Sequence, residues 1–187
     1  MNASLDVDPD VLAPEELRGL AGHAITRRYP AKAVIVTEGD RSDSLFIIVE
    51  GRARAFVSDA SGHEATLCVM GPGEYFGEVA LDAGPRSATV MTLEPCVLSV
   101  VSRSDFDGFV SSNPAFAAHF IRKLLKRIRV LTENVRSLAL MDAYGRVARV
   151  LLDSAVTQDG VQFVPERLTQ AEIASRVGCS REMVSRI

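Results

Sequence analysis

The sequence predicts an α+β protein in three parts: an N-terminal antiparallel β-roll, or jelly roll, over residues 1–112, a long helix over 113–141, and a helix-turn-helix domain over 142–187. Three observations support this prediction. Short apolar runs alternate with glycine turns in the first part. A sustained heptad pattern occupies the second part, and two helix starts flank a glycine turn in the third.

The composition is that of a globular protein. The chain has 187 residues, and its 47% hydrophobic content suffices for buried cores in one large or two small domains. No apolar run approaches the length of a membrane span, and the first 13 residues are acidic, unlike a signal peptide. The three cysteines are scattered and form no CxxC pair, which indicates a reducing cytoplasm.

The charge is distributed unevenly along the chain. Residues 1–119 carry 9 Lys and Arg against 17 Asp and Glu, whereas residues 120–187 carry 12 against 7. An acidic first part joined to a basic second part is typical of a sensor attached to a module that faces nucleic acid. Ordinary solvated faces would give the same totals, so the charge alone does not decide between the two.

Residues 24–101 have the pattern of strands and turns, after a short helix predicted over Pro14–Gly22. The apolar runs 33–36, 45–49 and 65–70 are separated by turns at Gly39, Gly51, Gly62 and Gly71. This rhythm of 9 to 12 residues is typical of a small antiparallel barrel or jelly roll. A further short helix is predicted over Arg103–Val110.

The segment FGEVALDAGPRSATV, residues 76–90, contains the groups that a cyclic phosphodiester on a ribose requires. Arg86 offers a planar charged donor and Ser87 a hydroxyl for the anion. Backbone amides between residues 77 and 81 can point at the phosphate if they open a short helical turn. Glu78 is an acceptor suited to the ribose 2′-hydroxyl. The alternative is a surface ion pair between Glu78 and Arg86 across a hairpin.

The long helix carries the clearest periodic pattern in the chain. Apolar residues recur at alternating spacings of four and three, at Ala117, Ile121, Leu124, Ile128, Leu131, Val135 and Leu138. Such a stripe favours a partner helix, so we predict a two-fold homodimer through residues 117–138. Packing of the stripe on the chain's own β-roll is the alternative. Because Phe120 and Leu125 widen the apolar face, the helix can also contact both.

The segment after the long helix is predicted to be a hinge, Asp142–Gly145. A helix from Arg146 to about Val156 follows it. Next, Asp159 and Gly160 form a turn into a short strand over Val161–Val164.

A helix-turn-helix is predicted at the C-terminal end of the sequence. Thr169 and Glu172 have the spacing of a capping box, which begins a helix that runs to Val177. Residues 178–180 form a tight turn, and the last of them caps a further helix from Arg181. The apolar residues of this unit are Ile173, Val177, Val184 and Ile187.

The second helix of this unit carries side chains suited to base edges in DNA. Arg181 and Arg186 can each donate two hydrogen bonds to guanine, and Glu182 can accept one from cytosine. Glu182 and Arg186 share one helical face, with Arg181 at its rim. The candidates for phosphate contacts are Thr169, Gln170 and Ser180.

These stretches resemble one known family. Residues 76–90 look like the phosphate-binding cassette of the cyclic-nucleotide-binding domain, and the pattern T-x-x-E-I-A-x-x-V-G-C-S-R-E-x-V-x-R from Thr169 resembles its DNA-binding unit. The whole chain is similar to the catabolite activator (cyclic AMP receptor) family of bacterial transcription regulators. The turn Glu38–Asp40 and the strand Phe46–Gly51 also resemble that family's barrel. The ligand-binding positions on the cassette are Gly77, Glu78, Val79, Ala80, Arg86, Ser87 and Ala88.

The resemblance implies a regulator without enzymatic activity, located in the cytoplasm. Its effector would be a cyclic nucleotide similar to cyclic AMP, with no metal. Leu131 and Thr132 would meet the purine base, and Arg127, one turn earlier, can pair with Glu78. The resemblance also implies a dimer on a palindromic operator with TGTGA-like half-sites, and RNA polymerase as a partner.

Two departures from the family pattern leave open whether the effector is a cyclic nucleotide similar to cyclic AMP. Glu78 and Arg86 are eight residues apart, one or two fewer than the family pattern has. Leu131 stands where the cyclic AMP receptor carries a polar contact. The alternatives are a member with no effector, one with a different effector, and one that senses redox state or haem, for example through His63.

Two other classes of protein are also considered. A nucleotide-sensing module that acts on a protein partner would explain the barrel but not Arg181, Glu182 and Arg186. A metal-dependent cupin enzyme would need clustered ligands, whereas the histidines are far apart in sequence. The resemblance implies a winged helix-turn-helix domain over 142–187. Because the chain stops at Ile187, within the second helix, this domain is expected to be incomplete, and weak or no specific DNA binding is expected from the sequence as written.

Overall fold

The computed structural model describes residues 19–20, 24–82, 84–158, 160–165 and 167–187. The chain divides into two compact units. The first comprises Met1–Phe56 and Cys68–Leu124, and the second comprises Val57–Leu67 and Leu125–Ile187. Among the described residues, no helix combines the length and hydrophobicity that a membrane span requires.

The predicted antiparallel β-roll is confirmed. Its strands are β1 (Ile25–Tyr29), β2 (Val34–Val36), β3 (Leu45–Glu50), β4 (Ala53–Ser58), β5 (Glu64–Met70), β6 (Tyr75–Phe76), β7 (Thr89–Thr92) and β8 (Cys96–Val101). They form two four-stranded sheets, with the orders β1-β8-β3-β6 and β2-β7-β4-β5. The cassette segment lies between β6 and β7, which belong to different sheets.

Strand β3 is buried on both faces. Because successive side chains point to opposite sides of a strand, Phe46 and Ile48 contribute to one hydrophobic cluster. Leu45 and Ile47 contribute to the other, which includes aromatic residues of the helices that follow the roll. The continuous apolar run at the start of β3 therefore holds two cores together.

The turn between β3 and β4 encloses a buried thiol. Gly51 has a φ of +83°, and a Cβ at this position would collide with the carbonyl of Pro95 and with Sγ of Cys96. The Cys96 thiol is 2% exposed. It donates to the carbonyls of Arg52 and Glu94, both at 3.3 Å. Burial raises the pKa of the Cys96 thiol.

Two helices connect the roll to the rest of the chain. Helix α1 (Arg103–Ser112) ends two residues beyond the predicted Val110. It is capped by Ser102, whose hydroxyl accepts from the Asp105 amide at 3.2 Å. Helix α2 (Pro114–Leu140) is the predicted long helix. The helix predicted over Pro14–Gly22 lies outside the described residues except at Gly19 and Leu20, which are helical.

The hinge prediction needs a correction. Helix α3 spans Ala143–Asp153, so it begins three residues before the predicted Arg146. The Asp142 carboxylate accepts from the Gly145 amide at 2.8 Å and caps the helix. Gly145 is thus part of the first helical turn, and the link between α2 and α3 consists of Met141 and Asp142.

A short hairpin follows α3, and part of it was not predicted. Strand β9 (Val156–Gln158) pairs antiparallel with β10 (Val161–Phe163). Val156, expected at the end of a helix, instead faces Phe163 across the hairpin. Asp159, part of the predicted turn, lies outside the described residues.

The helix-turn-helix is present as predicted, in helices α4 (Gln170–Val177) and α5 (Arg181–Arg186). Gly178 ends α4 in the left-handed conformation, at φ 69°. The small core of this unit consists of Val147, Ala174, Val177 and Val184, with Ile173 packed against it. Ile187, the fourth apolar residue named in the sequence analysis, is 46% exposed.

Candidate ligand site and nucleic-acid interface

Arg86 is buried in the first unit, with 3% of its surface exposed. It donates from Nε to the Ser42 hydroxyl at 2.8 Å, from Nη1 to the Gly77 carbonyl at 2.8 Å, and from Nη2 to the Ser44 carbonyl at 2.7 Å. Within the described residues, these bonds use three of the five N–H groups of the guanidinium. One N–H on each terminal nitrogen has no acceptor among the described residues.

Among the described residues, the acceptors around Arg86 are uncharged oxygens, so none of these hydrogen bonds goes to a carboxylate that would cancel its positive charge. Burial lowers the pKa of Arg86, and the nearby carboxylates of Glu78 and Asp43 act in the opposite direction. An arginine starts from so high a pKa that it stays charged at neutral pH. This burial excludes the alternative of a surface ion pair between Glu78 and Arg86.

The loop before β3 forms a wall of this site that the sequence analysis missed. The Gly39 amide donates to the Arg86 carbonyl at 2.9 Å, and the Arg86 amide donates to the Asp40 carbonyl at 2.8 Å. Ser42 and Ser44 then hold the side chain of the same arginine. The short polar residues after the Gly39 turn were the only signal in the sequence, and it did not indicate which residue they would contact.

Gly77 is required by the position of Arg86. Its φ is +90°, and an added Cβ would lie 2.5 Å from Nη1 of Arg86 and 2.9 Å from the Ser44 carbonyl oxygen. The expected helical turn follows as a 3-10 helix over Glu78–Asp82. Its first amides therefore come directly after the carbonyl that holds the guanidinium.

The other cassette positions differ in exposure. Glu78 is half-buried, Val79 is 49% exposed and Ser87 is exposed. Ala88 is half-buried and packs against the first hydrophobic cluster. For Ala80, the structure describes only the backbone, which lies in the 3-10 helix.

The long-helix candidates lie in the second unit. Arg127 is half-buried, and Leu131 is 45% exposed. The Thr132 hydroxyl donates to the Ile128 carbonyl of its own helix at 2.9 Å, so toward a base it would serve as an acceptor. Contact of these residues with a ligand stays a prediction.

The charged side chains of the helix-turn-helix are presented to solvent. Arg181, Glu182 and Arg186 are all exposed. The pKa of Glu182 is lowered by its own backbone amide and by the Ser180 hydroxyl, so the carboxylate is charged at neutral pH. The predicted candidates for phosphate contacts, Thr169, Gln170 and Ser180, are exposed as well.

Two of these candidates also fix the helix starts. Thr169 accepts from the Glu172 amide at 3.2 Å, and Glu172 accepts from the Thr169 amide at 2.7 Å, which completes the predicted capping box. Ser180 accepts from the Met183 amide at 3.2 Å and caps α5. The hydroxyls therefore have a structural role whether or not they contact DNA.

Arg146 connects three elements of the second unit. Its Nε donates to the Val177 carbonyl at the end of α4 at 3.0 Å, and its Nη1 donates to the Met141 carbonyl at 2.9 Å. The helix-turn-helix is thereby tied to the link after α2.

The predicted position of His63 at a hairpin tip is confirmed, since it lies in the turn between β4 and β5. Its Nδ1 is 3.1 Å from a carboxylate oxygen of Asp59, and both side chains are exposed. Within the described residues, no group of three or more His, Cys, Asp or Glu side chains is placed to hold a metal ion.

A helix-turn-helix serves to place a helix in the major groove of DNA. Joined to a β-roll that holds a buried arginine beside the turn between β6 and β7, it defines the class of ligand-sensing DNA-binding regulators. Residues 26–113 match the family described as cyclic nucleotide-binding domain, and residues 145–187 match the Crp-like helix-turn-helix domain. The chain belongs to the catabolite activator, or cyclic AMP receptor, family of transcription regulators.

Curated relatives support the same assignment. The cAMP-activated global transcriptional regulator CRP of Pasteurella multocida is 30% identical over 195 residues, which cover 100% of this chain and 89% of that protein. The cAMP-activated global transcriptional regulator Vfr of Pseudomonas aeruginosa is 34% identical over 184 residues, which cover 92% of this chain and 85% of that protein.

Solved structures of the family have the same fold. The c-di-GMP responsive global regulator CLP of Xanthomonas campestris matches with a TM-score of 0.80 at 26% identity, over 91% of this chain and 87% of that chain. The catabolite activator protein of Thermus thermophilus matches with a TM-score of 0.62 at 31% identity, over 94% of this chain and 81% of that chain. The names of these relatives include two different effectors.

Proposed function

We propose that this chain is a homodimeric transcription regulator gated by a cyclic nucleotide that binds at Arg86, Ser87 and the Gly77–Glu78 turn. The observation that carries the proposal is the buried Arg86, held by neutral oxygens in a turn that opens a 3-10 helix. By relation to the family, the proposal includes a cytoplasmic location, a palindromic operator with TGTGA-like half-sites, and RNA polymerase as a partner.

The chemistry of the cassette suits a cyclic phosphodiester. The guanidinium can offer its remaining N–H groups to the phosphate oxygens, and the exposed Ser87 hydroxyl can add a further bond. The amides that open the 3-10 helix add partial positive charge. Glu78 then accepts from the ribose 2′-hydroxyl, and Thr132 accepts from the base.

Dimerisation is supported by the exposure of the heptad stripe. Five of its residues are between 45% and 66% exposed: Ile121, Ile128, Leu131, Val135 and Leu138. Only part of the stripe is covered within the chain, since Leu124 packs against the second hydrophobic cluster. An apolar stripe of this length on one face of a helix is covered when a second copy pairs with it.

The gating step would use the short link between α2 and α3. Ligand contact with the long helices would favour one packing of the helix pair. Because only Met141 and Asp142 separate α2 from α3, a change in that packing would move the DNA-binding domains. Arg181, Glu182 and Arg186 would then face the two half-sites of the operator together.

Titration calorimetry with cyclic AMP, cyclic GMP and cyclic di-GMP tests the effector site. Arg86→Lys keeps the positive charge but loses the planar set of N–H donors of the guanidinium. For whichever of the three nucleotides binds the wild type, we expect the affinity of this variant to fall at least about tenfold. Arg103→Lys, on the half-buried start of α1 and 3.7 Å from the Asp107 carboxylate, is the matched control and should bind like the wild type. Equal affinity of Arg86→Lys and wild type would show that the site is elsewhere.

A gel-shift titration tests the DNA-binding step. The probe carries two TGTGA half-sites, and a probe with scrambled half-sites is the control. Any shift, weak as the sequence predicts, should appear only with the palindrome and only when the effector is present. A shift that is independent of every nucleotide would instead identify a member of the family without an effector.

Cyclic di-GMP is the second candidate effector. One structural neighbour is named as responsive to it, and the apolar Leu131 does not supply the polar contact expected for an adenine base. The same calorimetry decides between the two nucleotides, because each is titrated separately into the same protein.

A further inference from the structure

Ser42 lies on the exposed loop between β2 and β3, far from the cassette in sequence. Its hydroxyl accepts from Nε of Arg86 at 2.8 Å. The other two acceptors of that guanidinium are the backbone carbonyls of Gly77 and Ser44. Within the described residues, Ser42 is therefore the one side chain that hydrogen-bonds to the Arg86 guanidinium, and a substitution can remove its bond alone.

The three bonds together determine the orientation of a planar group. The two backbone carbonyls hold one N–H on each terminal nitrogen, and the guanidinium could still tilt about the line that joins them. The bond from Nε to Ser42 adds the third point that stops this tilt. Without it, one of the three hydrogen bonds that fix the plane of the guanidinium is lost.

The chemical type of the acceptor also matters. A serine hydroxyl is neutral, so it orients the guanidinium and leaves its positive charge for the ligand. A carboxylate at the same position would make a stronger bond to Arg86. It would also cancel much of the charge that attracts an anion and would repel the phosphate directly.

We infer that Ser42 is a positioning residue for the anion site, which holds Arg86 in the orientation that receives the phosphate. The inference rests on the proposed function, because it requires a phosphate-bearing ligand at Arg86. Since the Ser42 side chain is on an exposed loop, its substitution is compatible with folding.

Three variants separate positioning from simple stabilisation. Ser42→Ala should raise the Kd of the nucleotide that the calorimetry selects about tenfold, and Ser42→Thr, which keeps the hydroxyl, should restore it. Ser42→Asp should raise the Kd about a hundredfold without lowering the Tm of the unliganded protein, because its carboxylate strengthens the bond to Arg86. Ser111→Ala, which removes an exposed hydroxyl bonded to the Asp107 carbonyl of its own helix, is the matched control.

A nuclear magnetic resonance measurement tests the orientation without any ligand. The Nε–H signal of Arg86 is assigned by its loss in Arg86→Lys. It should shift in Ser42→Ala and return close to its original position in Ser42→Thr.

An unchanged signal in Ser42→Ala would overturn the inference, as would a Kd within twofold of wild type. A fall in both the Tm and the affinity of Ser42→Asp would indicate a structural role instead and would also overturn it. If the wild type binds none of the nucleotides, the proposed effector fails. The Arg86 signal then tests only whether Ser42 orients the guanidinium, and an unchanged signal in Ser42→Ala would overturn that as well.

Discussion

The carboxylate of Glu133 on the long helix accepts a hydrogen bond of 2.9 Å from Nη1 of Arg149 on α3. The pair spans the link formed by Met141 and Asp142, and Arg149 also lies 3.6 Å from a carboxylate oxygen of Asp153. The hydrogen bond lowers the pKa of Glu133 and raises the pKa of Arg149. A charged contact therefore supports the position of α3 relative to the second half of α2.

This pair predicts a specific dependence of stability on pH. Because the folded pKa of Glu133 is lowered, the stabilisation is fully present above the pKa of an unpaired glutamate, about 4.3. It is lost as the pH falls through the lowered value. We expect Glu133→Gln to reduce the Tm at pH 7 by a small amount, since the pair is exposed, and to match wild type in acid.

The melting temperatures of Glu133→Gln, Arg149→Gln and the double variant, measured from pH 7 to pH 3, check this prediction. The losses of the two single variants should not add in the double variant, because either change removes the same bond. Strict additivity at pH 7 would contradict an energetic role for the pair.

The close approach of Gly77 to Arg86 predicts a large effect of a single methyl group. Gly77→Ala places a Cβ in contact with the guanidinium and the Ser44 carbonyl, at a backbone φ of +90°. We expect a loss of about 2–4 kcal/mol in the free energy of unfolding. Urea unfolding followed by circular dichroism measures it.

Gly62→Ala is the matched control for Gly77→Ala. Gly62 has a φ of +81°, but a Cβ there would have no neighbour within 4 Å. This variant should lose only the backbone contribution, about 1 kcal/mol. If Gly77→Ala and Gly62→Ala lost the same free energy of unfolding, the guanidinium of Arg86 would be able to move away from the added methyl group at little energetic cost.

The exposed stripe of α2 predicts which substitutions separate the dimer. Val135→Glu puts a charge in the middle of the proposed helix pair, at a position that is 66% exposed in the single chain. We expect a monomer in analytical ultracentrifugation. Val130→Glu lies on the same helix but off the stripe, at 50% exposure, and should remain dimeric. A dimeric Val135→Glu variant would exclude this face as the interface.

The capping box of α4 predicts a loss of stability that does not involve DNA. Thr169→Ala removes the acceptor for the Glu172 amide and should cost about 1 kcal/mol in the free energy of unfolding. Thr132→Ala removes a hydroxyl bonded within its own helix and is the control, with little expected change. If urea unfolding gives both threonine variants the same free energy of unfolding, the capping box does not contribute measurably to stability.

Local patterns in the sequence were sufficient to predict much of the fold. The capping box at Thr169 and the cap at Ser180 depend on residues three positions apart, so the sequence contains the whole interaction. The same applies to the exposed stripe, whose period is a property of the helix itself. These features were predicted at the correct residues because no distant contact is needed to form them.

Long-range contacts account for what was missed. Ser42 and Arg86 are 44 positions apart in the sequence, and nothing about a polar loop residue indicates which distant side chain it will bond to. The start of α3 was misplaced because Gly145 was interpreted as part of a hinge, whereas the Asp142 cap outweighs the low helix propensity of one glycine. Strand β9 was missed since only its pairing with β10 distinguishes Val156 from a helical residue.

The enclosed thiol of Cys96 has a practical consequence. While the sheets are closed, an alkylating reagent cannot reach a sulfur that is 2% exposed beneath the Gly51 turn. In a protein with serine at positions 68 and 179, the rate of iodoacetamide labelling would report how often this part of the molecule opens. An effector that stabilises the closed form would slow the labelling in proportion, which provides a binding assay without a fluorophore or a DNA probe.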